Sequence, residues 1–246
     1  MKKKRIIILL ITIILVVLLL SFITIKMTMV SINDRSYLKS FYSMPSHDCE
    51  GEVYLDKNIQ QTIDLAIISD CLFDNEISHG IKYKKPIKII ICKDDKESAK
   101  VFKLFKTKAS GFAFSNDLII LNYDNLYKLG YTFDSIIRHE SSHTLIKQNI
   151  KSFFKMIVTF SNRSLWFSEG FALYNQQLVI YTKDELLNEV ETYNIKYNSR
   201  SDNFGTDPQN LRIDYSLYYY FMDYIIKKYG KDKVLDFLHL MINDYT

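Results

Sequence analysis

The chain has 246 residues, of which 48% are hydrophobic and 24% charged. That is a globular composition, and it excludes wholesale disorder. Seven Gly and three Pro exclude collagen-like and Pro-rich low-complexity classes. The net charge is +4, but Lys2, Lys3, Lys4 and Arg5 account for it: the 32 basic residues less these four leave 28, against 28 acidic residues. A formally neutral remainder lacks the clustered basic excess that neutralises phosphates, so no nucleic-acid partner is expected.

Residues 6–25, IIILLITIILVVLLLSFITI, are twenty consecutive uncharged residues. As a helix they would be about 30 Å long, matching the hydrocarbon core of a bilayer. The basic cluster before them (residues 1–5) predicts a cytoplasmic N-terminus with the rest of the chain outside the cell membrane. A cleaved signal peptide is the rival reading, but its apolar core is usually only about 7–15 residues and ends at small residues. The following KMTMVS has no small-x-small site. The expectation is therefore an uncleaved single-pass transmembrane anchor, with the lipid bilayer as one partner.

Cys49, Cys71 and Cys92 follow the span. An odd count without CxxC spacing argues against a disulfide framework or a cysteine metal site. Small buried apolar residues are the preferred reading, with a Cys49–Cys71 bridge left open. Residues 26–50 mix Ser, Asp, Lys and Tyr with Pro45 and read as a linker. A single domain is expected over 51–246.

Within it, Ile59, Ile63, Ala66 and Ile67 have helical spacing and predict a helix over 57–77. Residues 86–92, PIKIIIC, predict a strand. Asp94–Lys106 predicts a helix, with Asp94 and Asp95 at its start rather than serving as an acid/base pair. GFAF (111–114) and DLIILN (117–122) predict two strands joined at Ser115-Asn116. Helical patterns then dominate: 133–149, 164–181, 184–192, 211–229 and, after Gly230, 231–243. A small sheet followed by helices predicts the α+β class. His47 and His79 in polar, loop-like segments, and His239 in the last helix, read as surface or capping residues, since none has a partner at metal spacing.

The chemistry concentrates in His139-Glu140-Ser141-Ser142-His143. Histidines four apart share one helix face, so both imidazoles reach one ion. Neutral imidazole suits zinc. Glu140, beside the first His, is placed to take a proton from water as general base. Two ligands are too few, because catalytic zinc takes three protein ligands and keeps one position open. The site is also not an intramembrane one: Arg138 and Lys147 flank it, and the only long apolar run is the first.

Residues 166–174, WFSEGFALY, resemble the W-x-x-E-G-x-A motif of gluzincin metallopeptidases, the aminopeptidase-like and peptidase MA-like group. The resemblance covers about 111–243 and implies a zincin-like domain of a small mixed sheet followed by helices. It implies a zinc cofactor held by His139, His143 and Glu169, and a peptide or protein substrate. It implies that GFAFSNDLIILN is the strand along the cleft, an edge to which an extended peptide can add. It also implies an oxyanion-directed tyrosine in YSLYYYFMDYIIKKYG, carried to Tyr215 with Tyr218 and Tyr219 as alternatives. Gly170 is expected to let the two ligand helices approach. Twenty-five residues separate His143 from Glu169, more than in the aminopeptidase branch, so an inserted loop or helix extension is expected around Lys151–Ser164. Leu173 stands where thermolysin-like enzymes carry an acidic residue, so no partner orienting His139 or His143 is identified. The implied activity is hydrolysis of peptide bonds. The alternative from another class is a non-catalytic, zinc-stabilised binding module outside the membrane.

Overall fold

A computed structural model of the chain describes residues 11–16, 30–32, 35–44, 50–102, 109–128, 130–152, 159, 165–176, 179–192 and 208–243. Residues 11–16 are helical; the rest of the expected 6–25 span lies outside the described residues. Among the described residues no helix is long and apolar enough to cross a membrane.

Five strands form one mixed sheet: β1 (Tyr37–Ser43), β2 (Glu50–Asp56), β3 (Lys88–Cys92), β4 (Gly111–Ala113) and β5 (Leu118–Asn122), in the order β1-β2-β3-β5-β4. β1 runs antiparallel to β2, β2 and β5 run parallel to β3, and β4 is an antiparallel edge on β5. Ile89, Ile90 and Ile91 of the central strand are completely buried, which is why this strand reads as a continuous β-branched run. Alternation divides them between two cores. Ile89 and Ile91 join Val53, Leu55, Ile119 and Leu121 beneath Ile68, Leu72, Ile136 and Ile137. Ile90 joins Tyr37, Val101, Phe102 and Ile120 on the other face.

Helices α1 (Ala66–His79), α2 (Asp95–Val101), α3 (Tyr123–Lys128) and α4 (Phe133–Asn149) belong to the sheet half of the domain. Helices α5 (Leu165–Gln176), α6 (Lys183–Thr192), α7 (Pro208–Tyr229) and α8 (Lys231–Ile242) follow. A third core joins Ile146 of α4 to Phe167, Phe171, Met222, Val234 and Leu238. Helix α4 therefore touches both halves. Its start is set by Thr132 and Ser135, whose side chains reciprocally cap the first turn. The α+β expectation holds.

Three local expectations are corrected. The linker assigned to 26–50 contains β1, which pairs with β2 along all seven of its residues. Its mixed polarity is that of an edge strand, with Tyr37 and Tyr42 buried and Lys39 bonded across to Glu52 at 2.7 Å. The helix expected over 57–77 begins only at Ala66, where Asp64 Oδ1 accepts the Ala66 N–H. The apolar Ile59 and Ile63 ahead of it pack a loop and a short 3-10 turn onto the core, a tertiary role that mimics helical spacing. The helix expected over 164–181 is observed as Leu165–Gln176, and Val179–Tyr181 are not helical. Cys71 and Cys92 are free, buried thiols. Cys49, His47 and nearly all of Lys151–Ser164 lie outside the described residues.

Candidate functional site

One turn of α4 brings the His139 and His143 rings to a centroid distance of 4.8 Å, with Nε2 atoms 3.2 Å apart. Glu169 enters from α5: Oε2 is 3.3 Å from His139 Nε2 and Oε1 is 3.4 Å from His143 Nε2. All three side chains are buried. Ligands at about 2.0–2.1 Å in a tetrahedral arrangement stand about 3.3 Å from one another, so the spacing matches a single ion. The Oε2 of Glu169 is shielded from solvent and has no hydrogen-bond partner among the described residues. Burial alone would raise the Glu169 pKa, yet the His143 and His139 imidazoles hold it well below the usual carboxylate range. Burial would likewise depress His139, but the adjacent Glu169 carboxylate leaves it raised. The trio attracts positive charge, and two imidazoles with one carboxylate form a donor set that fits zinc.

A model of the peptidase MA superfamily matches residues 67–246. The chain belongs to that superfamily. No curated protein matches it. Among solved structures it is similar to an M1 zinc metallopeptidase from Deinococcus radiodurans, with 8% identity and a TM-score of 0.42, covering 84% of this chain and 51% of that one. A point mutant of that metallopeptidase is similar at 8% identity and a TM-score of 0.42, covering 85% of this chain and 52% of the other. The chain thus spans about half the length of those proteins.

In this peptidase MA chain the partner that orients His139 is Gln176. The His139 Nδ1–H donates to Gln176 Oε1 at 2.9 Å, which leaves the Nε2 lone pair facing the centre. Sequence reasoning missed it. Gln176 lies seven residues after Glu169, two turns along the same face of α5, and that spacing was the available signal.

Glu140 is buried beside the two histidines. Its Oε2 accepts the Ala113 N–H at 2.7 Å. Gly111 leaves the room this needs: a Cβ there would lie 2.9 Å from Glu140 Cγ and 3.0 Å from Oε1. Strand β4 is the edge strand expected over 111–114. Phe114 N bonds to Leu118 O, and Asn122 N to Ser110 O, so the backbone of Ala113 points to the free side. Both its groups are engaged there, for Lys147 Nζ donates to Ala113 O at 2.6 Å. Burial lowers the Lys147 pKa.

Tyr215 lies close to the histidines: its ring centroid is 6.0 Å from that of His139. Burial raises its pKa well above the ordinary value, and Glu169, Tyr131 and Glu140 add to the effect. Tyr219 instead stacks on Tyr174 at 6.2 Å, and Tyr218 presents its carbonyl to Gly170. Tyr131, which sequence reasoning also missed, is a buried phenol whose pKa is likewise raised by burial and by Glu169 and Glu140.

Two expectations change. Gly170 serves a different pair of helices from the one expected. A Cβ there would stand 2.8 Å from the Tyr218 carbonyl oxygen, so its absence allows α5 to meet α7. His79 is not a surface residue. It is fully buried, with its ring edge-on to Phe171 at 4.7 Å. Its Nδ1–H donates to Asn75 O at 2.7 Å, and its Nε2 accepts from Ser142 Oγ at 2.7 Å. Burial drops its pKa to about 3, so the ring is neutral. Asn75 Nδ2 donates to Ser141 Oγ at 2.7 Å. The two serines of the motif therefore tie the back of α4 to α1, which turns His139, Glu140 and His143 toward the opposite side.

Proposed function

We propose that this protein is a membrane-anchored zinc metallopeptidase that hydrolyses peptide bonds outside the cytoplasmic membrane. The observation that supports it most is the convergence of His139 Nε2, His143 Nε2 and Glu169 at 3.2–3.4 Å, from two helices, around a common centre. Superfamily membership supports the same reading.

His139, His143 and Glu169 would hold the zinc. When bound, zinc supplies Lewis acidity, lowering the pKa of water and polarising a carbonyl. Glu140 is the general base. Its Oε2 is held by the Ala113 N–H, which fixes the carboxylate and leaves Oε1 to take the proton of the attacking water. The same oxygen then gives that proton to the leaving amine. Tyr215 is the donor for the charge that develops on the carbonyl oxygen. Gln176 keeps His139 in the tautomer that offers Nε2. The anchor is residues 6–25, with the basic N-terminus on the cytoplasmic side.

The test is metal analysis of the purified chain joined to a peptide-library assay with and without a chelator. About one zinc per chain and chelator-sensitive cleavage are expected. Bound zinc without cleavage of any peptide would instead favour a non-catalytic binding module, and absence of metal would overturn both.

A further inference from the structure

Arg212 lies on α7 one turn before Tyr215, so the two side chains leave nearly the same face of that helix. Tyr215 packs toward His139. The guanidinium carbon of Arg212 lies 4.9 Å over the Tyr181 ring. Tyr181 is itself tethered to α7, because Tyr220 Oη donates to its carbonyl at 2.9 Å. The cation is thus stacked in place, yet it has no salt bridge among the described residues, and its Nε is shielded from solvent with no hydrogen-bond partner there.

A second donor in the same condition lies on the facing helix. Gln176 gives Oε1 to His139, while its Nε2 is buried without a partner among the described residues. Helices α5 and α7 run antiparallel, with Trp166 against Phe221 at 5.0 Å and Gly170 against the Tyr218 carbonyl. Continuing that register along α5 brings the level of Gln176 opposite Arg212. Lys147 Nζ is held by Ala113 O on the Glu140 side of the site, whereas Arg212 brings its positive charge to the Gln176 side. Two donors lacking acceptors, one of them on a cation, call for an anionic ligand with two oxygens.

We propose that Arg212 and Gln176 form a carboxylate subsite beside the metal centre, selecting peptides that carry a carboxylate close to the cleaved bond. The proposal rests on the peptidase reading and deepens it. The carboxylate has two sources, a free peptide C-terminus or an acidic side chain, and the guanidinium fork recognises either.

The experiment uses the full-length, zinc-loaded Glu140→Gln protein, so that bound peptide is not consumed. Four peptides are titrated by calorimetry: tetra-alanine, its C-terminal amide, and an acetylated, amidated penta-alanine with Glu or with Gln at its centre. In one pair the carboxylate member is expected to bind about tenfold tighter or more, as for a charge-assisted hydrogen bond, and the pair that responds identifies the source. Adding Arg212→Gln is expected to bring that ratio close to one, and Arg212→Lys to keep part of it, since an ammonium retains charge without the fork. Equal affinities within both pairs, including no binding of any peptide, overturn the proposal. So does a ratio that survives Arg212→Gln. Chelator-sensitive cleavage by the unsubstituted enzyme, with equal affinities, removes the subsite alone and leaves the peptidase reading standing.

Discussion

The Nδ1–H of His139 donates to the side-chain oxygen of Gln176 at 2.9 Å, a bond between helices α4 and α5. It fixes which ring nitrogen faces Glu169 and joins the two elements that supply the candidate metal ligands. Gln176→Leu is expected to weaken zinc binding by about 10–100-fold, the usual cost of losing such a partner. Competition with a chelator of known affinity measures it; unchanged affinity would show that helix packing alone orients His139.

In the proposed mechanism Glu140 is the base, and it stands outside the His139, His143 and Glu169 trio. Glu140→Gln is expected to lower kcat by about 10²–10⁴-fold, the usual contribution of general acid–base catalysis, while zinc content stays near one per chain. Steady-state kinetics and metal analysis on the same preparation check this. Loss of zinc together with activity would mean that Glu140 supports the site rather than the proton transfer.

Gly170 faces the Tyr218 carbonyl with no room for a methyl group, since the Cβ would sit 2.8 Å from that oxygen. The clash is with backbone and must be relieved by moving α5 away from α7. Gly170→Ala is expected to destabilise the domain by about 1–3 kcal/mol, the usual cost of overpacking. Thermal or denaturant unfolding measures it, and a neutral result would mean that the two helices slide at little cost.

His79 gives an acid-sensitivity prediction. Its folded-state pKa is lowered to about 3 from an ordinary 6.5. Below pH 6.5 the unfolded chain takes up a proton that the folded chain refuses. The neutral buried ring therefore costs nothing at pH 7, and stability falls as pH drops from 6.5 toward 3. The slope from this residue approaches about 1.4 kcal/mol per pH unit. His79→Gln, which cannot titrate, is expected to show a shallower decline over that window in denaturant unfolding. Parallel curves for the two proteins would rule out the effect.

The motif helix was legible because a 3.6-residue period is a local property. Thr132 starts it, buried apolar residues hold it, and His139, Glu140 and His143 follow from adjacency along one chain segment. The strands over 88–92 and 118–122 were legible for a similar reason, since β-branched runs buried on both faces leave few alternatives. Strand β1 was not. An edge strand carries polar residues on its open face, and only pairing with β2 reveals it.

By itself the sequence determined that two imidazoles and a carboxylate share one helical turn, and that a glutamate flanked by Trp166 and Gly170 lies downstream. Only the tertiary structure decided what each of those groups meets. The Glu140 carboxylate holds a peptide N–H 27 residues away, and His139 bonds to a side chain 37 residues away. Such partners are set by how α4 lies between the sheet edge and α5. No local periodicity encodes that placement, because it arises from burying three separate cores at once.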